Sequence, residues 1–168
     1  MTSTAMNAIR DWLYVGKYSE TLDSTLLDAQ GIGAILQLAE AVKHPGIQWL
    51  FLPVEDGVPL SSRLLREGVG FVLNQKRFDR KVLIACGAGK SRSVAFAVAV
   101  LKEDEGLPLL EALRAVKLHH PETMLHPALW KSLCVFYQED APFQSALRVM
   151  ACNLEPKPIN VLGSPHIR

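Results

Sequence analysis

The chain has 168 residues, 49% of them hydrophobic, with 18 basic and 17 acidic side chains and a formal net charge of +1. That length buries a real core and fits one domain better than two. The even charge excludes the broad basic face of a nucleic-acid binder.

In chain order, the apolar spacing predicts a strand pair at about 8–15, a helix at 20–30, and strands at 32–38 and 48–53. A long helix at 61–79 follows, then a strand at 81–86 and helices near 92–105, 108–119 and 126–139. In the long helix Leu64, Leu65, Val69, Phe71, Val72 and Leu73 read as core, and Arg63, Arg66, Lys76 and Arg77 as its wet face. Helices separate most of the strands, so the expected fold class is α/β: a single domain with a central, mostly parallel sheet flanked by helices. Ala141-Pro142 breaks the last core helix, residues 143–152 suit one more amphipathic set of turns, and 155–168 lacks periodicity. The domain is therefore expected to span 1–140, with 141–168 as a helix and extended tail rather than a separate domain.

The longest apolar run, residues 94–101, is far too short for a membrane span. Residues 1–7 lack the charged-then-apolar order of a secretory signal. Three widely spaced cysteines make neither a disulfide framework nor a metal-ligand cluster, so no metal or other cofactor is expected. A reducing, cytoplasmic setting is the expectation, and it is what a reactive thiol needs.

The chemistry concentrates in Cys86-Gly87-Ala88-Gly89-Lys90-Ser91-Arg92-Ser93. The run Val82-Leu83-Ile84-Ala85 reads as a buried strand feeding a loop, and residues 94–101 are apolar on every face, as in a central helix. Gly87, Ala88 and Gly89 leave backbone amides free to turn toward one point, and the helix N-terminus that follows favours an anion. Into that ring the sequence places Cys86, whose thiolate is the nucleophilic form, and Arg92, whose planar fork matches two phosphoryl oxygens. Ser93 can donate a hydrogen bond to the sulfur. The active loop thus lies between a central strand and a helix N-terminus, at the carboxyl end of the strand. A site that holds a phosphoryl dianion over a thiolate can form a cysteinyl-phosphate.

This loop resembles the signature of the cysteine-dependent protein tyrosine phosphatases, in their dual-specificity branch. Residues 9–16, Ile-Arg-Asp-Trp-Leu-Tyr-Val-Gly, are similar to that family's opening strand pair. Residues 27–36 resemble its first helix and core strand, and residues 120–133 the segment that opens its last core helices. The resemblance covers roughly residues 7–140. It implies a catalytic Cys86, Arg92 and Ser93, with phosphate held by Gly87, Ala88, Gly89, Lys90, Ser91 and Arg92. It also implies a general acid about thirty residues before the cysteine, where Asp56 stands between Glu55 and Gly57. A leaving oxygen needs a proton and the attacking water must lose one, so a carboxyl group there has a chemical duty; the competing role for Asp56 is a plain Asp-Gly turn.

Two positions depart from the family pattern. Ala85 replaces the histidine that braces the loop, and His126 replaces an asparagine that supports it. His126 either substitutes for that asparagine as a hydrogen-bond donor or, the commoner fate of a lone histidine, is a solvated helix start. Lys90 is either a second cation for a highly charged substrate or a solvent-facing side chain. The resemblance implies a dual-specificity tyrosine, serine and threonine phosphatase acting on a phosphorylated protein. The alternatives are a phosphoinositide, inositol phosphate or RNA 5′-phosphatase of the same fold, or a weak phosphate-binding module because of Ala85. Ala88-Gly89-Lys90-Ser91 imitates the end of a nucleotide-binding loop, but Ile84 occupies the position where that motif needs glycine. Sulfur transfer is disfavoured by Arg92 and Asp56, and the oligomeric state is not readable.

Overall fold

Parallel strands need crossover connections, and the strand and helix signals alternate as that demands. In the computed structural model, which describes residues 6–153, the elements are β1 (Asn7–Ala8), β2 (Leu13–Lys17), α1 (Tyr18–Thr21), α2 (Ser24–Gln30), β3 (Ile32–Gln37), β4 (Gln48–Phe51), α3 (Ser62–Arg77), β5 (Lys81–Cys86), α4 (Arg92–Glu105), α5 (Leu109–His119), α6 (Pro127–Tyr137) and α7 (Phe143–Ala151). The five strands form one sheet in the order β1-β2-β5-β3-β4. β2, β5, β3 and β4 run parallel, and only β1 is antiparallel to its neighbour. The α/β fold with a mostly parallel sheet and flanking helices is therefore what the chain adopts.

Successive side chains of a strand point to opposite faces, and β5 divides accordingly. Val82, Ile84 and Cys86 face the larger core with α3, α4, α5, α6 and α7, whereas Leu83 and Ala85 face a smaller one with Met6, Tyr14, Leu27, Ile32 and Ile35. The nucleophile candidate thus emerges on the α4 side, and the residue before it is sealed on the other. Lys17 of β2 lies beside Cys86, and Gln37 of β3 beside Ala85, so the active loop leaves the sheet between two strand ends.

The single helix expected at 20–30 is two. Asp23 accepts a hydrogen bond from Leu26 N at 3.0 Å, which starts a new helix rather than continuing the old one. Gly31, at φ +71°, ends it. In α3, Leu65, Val69 and Val72 are buried while Leu64, Phe71 and Leu73 pack partly against the core; Arg63, Arg66 and Arg77 are exposed. Lys76 is only half solvated, reaching Asp104 at 2.6 Å and lying 4.8 Å from the Trp12 ring. α4 buries every residue from 93 to 101, as an all-round apolar helix must. α7 contributes Ala146, Val149 and Met150 to the larger core, and the Trp130 indole of α6 donates to Ala141 O at 2.8 Å. Residues 141–151 are thus packed on the larger core; the remainder of the expected tail, from 154 on, lies outside the described residues.

α3 and α4 meet where α3 carries no side chain. A Cβ built on Gly68 would stand 2.3 Å from Cε1 of Phe96, and Phe96 is fully buried. Gly68→Ala should therefore cost about 1–3 kcal/mol by overpacking, read as a lower denaturant midpoint at unchanged slope.

Candidate active site

At the carboxyl end of β5 the chain turns through residues 87–91 and enters α4 at Arg92. Cys86, 2% exposed, forms the floor of a cavity of about 210 Å³ that is also lined by Asp56, Ala88, Lys90, Ser91, Arg92 and Met124. The Cys86 sulfur lies 3.2 Å from Ser93 Oγ. As a thiol it donates to that oxygen; as a thiolate it accepts from the hydroxyl. At Gly89 the loop has no room for a side chain, whereas at Gly87 one would crowd the Arg92 guanidinium. Gly89 has φ +70°, and a Cβ there would meet Gly16 O at 2.9 Å; a Cβ on Gly87 would meet Arg92 Nη2 at the same distance. Among the described residues no backbone carbonyl accepts from the amides of Ala88, Gly89, Lys90, Ser91 or Arg92. Those five amides have no backbone partner, the condition an anion-binding loop requires.

Arg92 does not point to bulk water. Its Nη1 donates to Val54 O at 2.9 Å, joining the base of the phosphate loop to the segment that carries Asp56. Asp56 Oδ1 in turn accepts from Ser91 Oγ at 2.9 Å and from Gly57 N at 3.0 Å. The aspartate that the sequence reading assigned as general acid is therefore drawn against the loop by a side chain of the loop itself. Asp56 forms the turn with Gly57 and also lines the cavity. Glu55, its competitor, is exposed and does not line that cavity. Lys90 is exposed at the mouth.

A second set of bonds comes from the segment between α5 and α6, and the sequence offered no sign of most of it. His120 Nε2 donates to Gly89 O at 2.5 Å, Met124 N donates to Lys90 O at 2.9 Å, and His126 N donates to Ser91 Oγ at 3.0 Å. Three consecutive loop residues are thus strapped from outside. His126 is the exposed helix start expected, its Nδ1 accepting from Ala128 N at 3.0 Å. Its ring also abuts the acid segment, since a Cβ on Gly57 would stand 3.3 Å from its Nε2. His120 is 4% exposed; its only sequence signal is the His-Pro pair that opens this segment.

A larger hollow of about 410 Å³ lies elsewhere, lined by Pro59, Leu60, Ala128, Ser132, Val135 and Phe136 among others. It is mostly apolar and carries Ser62, Lys131 and Ser132 but no cysteine, arginine or carboxylate, so the set of groups that phosphoryl chemistry needs is gathered at the smaller cavity. Among the described residues no three His, Cys, Asp or Glu side chains converge as metal ligands would, and no helix is long and apolar enough to cross a membrane.

Cys86, Arg92 and Asp56 thus meet on one small cavity beside a loop of unpaired main-chain amides, and comparison with known proteins gives the chain's family. Residues 13–139 match the model of the dual specificity phosphatase catalytic domain, and the chain belongs to that family. Among curated relatives, the protein-tyrosine-phosphatase IBR5 of Arabidopsis thaliana is 31% identical over 160 residues, which are 94% of this chain and 59% of that protein. Dual specificity protein phosphatase 1 of Arabidopsis thaliana is 31% identical over 117 residues, 67% of this chain and 59% of that one. The chain thus spans about three fifths of the length of these relatives. The fold is that of human DUSP28 (TM-score 0.73, 22% identity, 82% of this chain and 95% of that one). It is equally that of a human tyrosine phosphatase-like serine/threonine/tyrosine-interacting protein (TM-score 0.72, 22% identity, 79% and 95%).

Burial holds the His120 imidazole below its ordinary pKa. The unfolded chain therefore binds the proton first as pH falls below about 6.5, and stability is lost from there down through the lower folded value. His120→Gln should remove that share of the loss, seen as a smaller drop in melting temperature between pH 7.5 and pH 5 than in the wild type.

Proposed function

We propose that this chain is a dual-specificity protein phosphatase that hydrolyses phosphomonoesters on tyrosine and on serine or threonine through a cysteinyl-phosphate. The observation that carries the reading is the pair of bonds that fold the acid segment onto the phosphate loop, Arg92 to Val54 O and Ser91 to Asp56. They support the reading because Cys86, Arg92 and Asp56 then line one cavity.

In the first step Cys86 Sγ, as thiolate, attacks phosphorus in line with the ester oxygen. The phosphorus–oxygen bond breaks, and protonated Asp56 gives its proton to the leaving oxygen. The equatorial oxygens, where charge develops, are held by Arg92 and by the amides from Ala88 to Arg92. In the second step water loses a proton to the Asp56 carboxylate and attacks phosphorus, and the phosphorus–sulfur bond breaks. Ser93, 3.2 Å from the sulfur, donates its hydroxyl hydrogen bond to the departing thiolate. Gly87, Gly89, Lys90 and Ser91 serve this site by their backbone, the Ser91 hydroxyl being committed to Asp56 and to His126 N.

Phosphoproteins are favoured over phosphoinositides, inositol phosphates and RNA because the curated relatives are named as protein-tyrosine and dual specificity protein phosphatases. The cytoplasm suits a nucleophilic thiol, which an oxidising compartment would consume.

Cys86→Ser should abolish turnover of para-nitrophenyl phosphate, at least about 10³-fold, while tungstate still binds. Asp56→Asn should lower turnover by about 10²- to 10⁴-fold and flatten the basic limb of the rate–pH profile. Normal turnover by the first variant removes the nucleophile, and an unchanged profile in the second transfers the acid role to Glu55.

A further inference from the structure

His120 touches none of the reacting atoms, yet every hydrogen-bonding group it owns is occupied. Its N donates to Val116 O at 2.8 Å, and its carbonyl accepts from Thr123 N at 3.1 Å and Thr123 Oγ1 at 2.7 Å. In the ring, Nδ1 lies 2.8 Å from Asn7 Nδ2 and Nε2 lies 2.5 Å from Gly89 O. A carbonyl oxygen can only accept, so Nε2 bears the hydrogen; the Asn7 amide donates, so Nδ1 is bare. This is the neutral imidazole in a single tautomer, and burial acts in the same direction. The charged groups facing the ring are Glu122, Lys117 and Lys17. Glu20, buried beside Lys17 at the end of β2, is itself pushed toward its neutral form by burial.

The consequence follows from the peptide plane. In a trans peptide the C=O and the following N–H point in opposite directions. Turning Gly89 O to His120 therefore turns the Lys90 N–H away from His120, and Lys90 lines the cavity together with Cys86, Ala88 and Arg92. Residue 85, where the family resemblance implies a bracing histidine, is Ala85, sealed at 3% exposure in the smaller apolar core. It has no polar atom with which to brace anything.

Resting on the phosphatase reading, we propose that His120, oriented by Asn7, is the positioning residue that aims the Lys90 amide at the bound phosphoryl group, supplying from the α5–α6 segment the bracing that Ala85 cannot. A residue that merely fills the core would be replaced well by an apolar side chain of similar size. A brace is replaced well only by a side chain with a donor and an acceptor side by side, as glutamine has.

The test compares wild type, His120→Leu, His120→Gln and Asn7→Leu by kcat and KM on para-nitrophenyl phosphate, by tungstate affinity and by melting temperature. His120→Leu should lose roughly ten- to a hundredfold in kcat/KM and bind tungstate about as much more weakly. His120→Gln should recover most of that loss, and Asn7→Leu should fall between them. Histidine nitrogen NMR of the wild type should show Nε2 protonated and Nδ1 bare at neutral pH. Wild-type values in His120→Leu, equal losses in the Leu and Gln variants, or an Nδ1-protonated ring would overturn the proposal. Where His120→Leu fails to fold, loss in Asn7→Leu with retention in His120→Gln supports it, and wild-type values in both overturn it. A wild type that binds tungstate but turns nothing over defeats the phosphatase reading alone, because the tungstate comparison still reports on the loop.

Discussion

A cradle of main-chain N–H groups exists only where the carbonyls on the same peptide planes are turned away and accepted by something else. That condition governs this site. Gly89 O and Lys90 O face outward to His120 and to Met124 N, and each outward carbonyl commits the next amide to the opposite side. Each bond is worth about 1 kcal/mol net, but Gly89 is buried, and an acceptor left unpaired there costs about 1–3 kcal/mol. The loop is thus shaped before any anion arrives. The anion need not supply the ordering free energy itself.

The same economy joins the two halves of the cavity. Ser91 is at once a member of the phosphate loop, the donor to Asp56 and the acceptor of His126 N. Arg92 belongs to α4 by its backbone and to the acid segment by its guanidinium. A displacement of the α5–α6 segment would therefore be felt at the acid as well as at the phosphate donors. Gly57, at φ +77° with the His126 ring against it, marks where the acid segment turns along that strap.

Most of the fold was legible because its signals are local: apolar runs ending in glycine, helices with one or all faces apolar, and prolines at breaks. The active loop was legible for the same reason, since Cys86, Arg92 and Ser93 fall within eight residues and carry their own chemistry. The division of the 20–30 helix was missed because Asp23 as a cap competes with the continuing apolar pattern around it. Of the strap only the His126 position was flagged; the His120 bond was not legible. Gly89 and His120 are 31 residues apart, and only the packing of α5 against α4 brings them together. Ala85 stands where the family resemblance implies a bracing histidine, and the sequence carries no sign of which other side chain reaches the loop. The side-chain alternation of β5 turns residue 85 into the sheet's other core, away from the face on which Cys86 lies.

The central claim is that phosphate passes through the Cys86 sulfur. Rapid mixing of the enzyme with excess para-nitrophenyl phosphate, acid quench within the first turnover and peptide mass spectrometry test it most directly. The account predicts a peptide carrying one added phosphoryl group, mapped to Cys86. Turnover with no phosphorylated peptide at any quench time, or with the group on another residue, would contradict it.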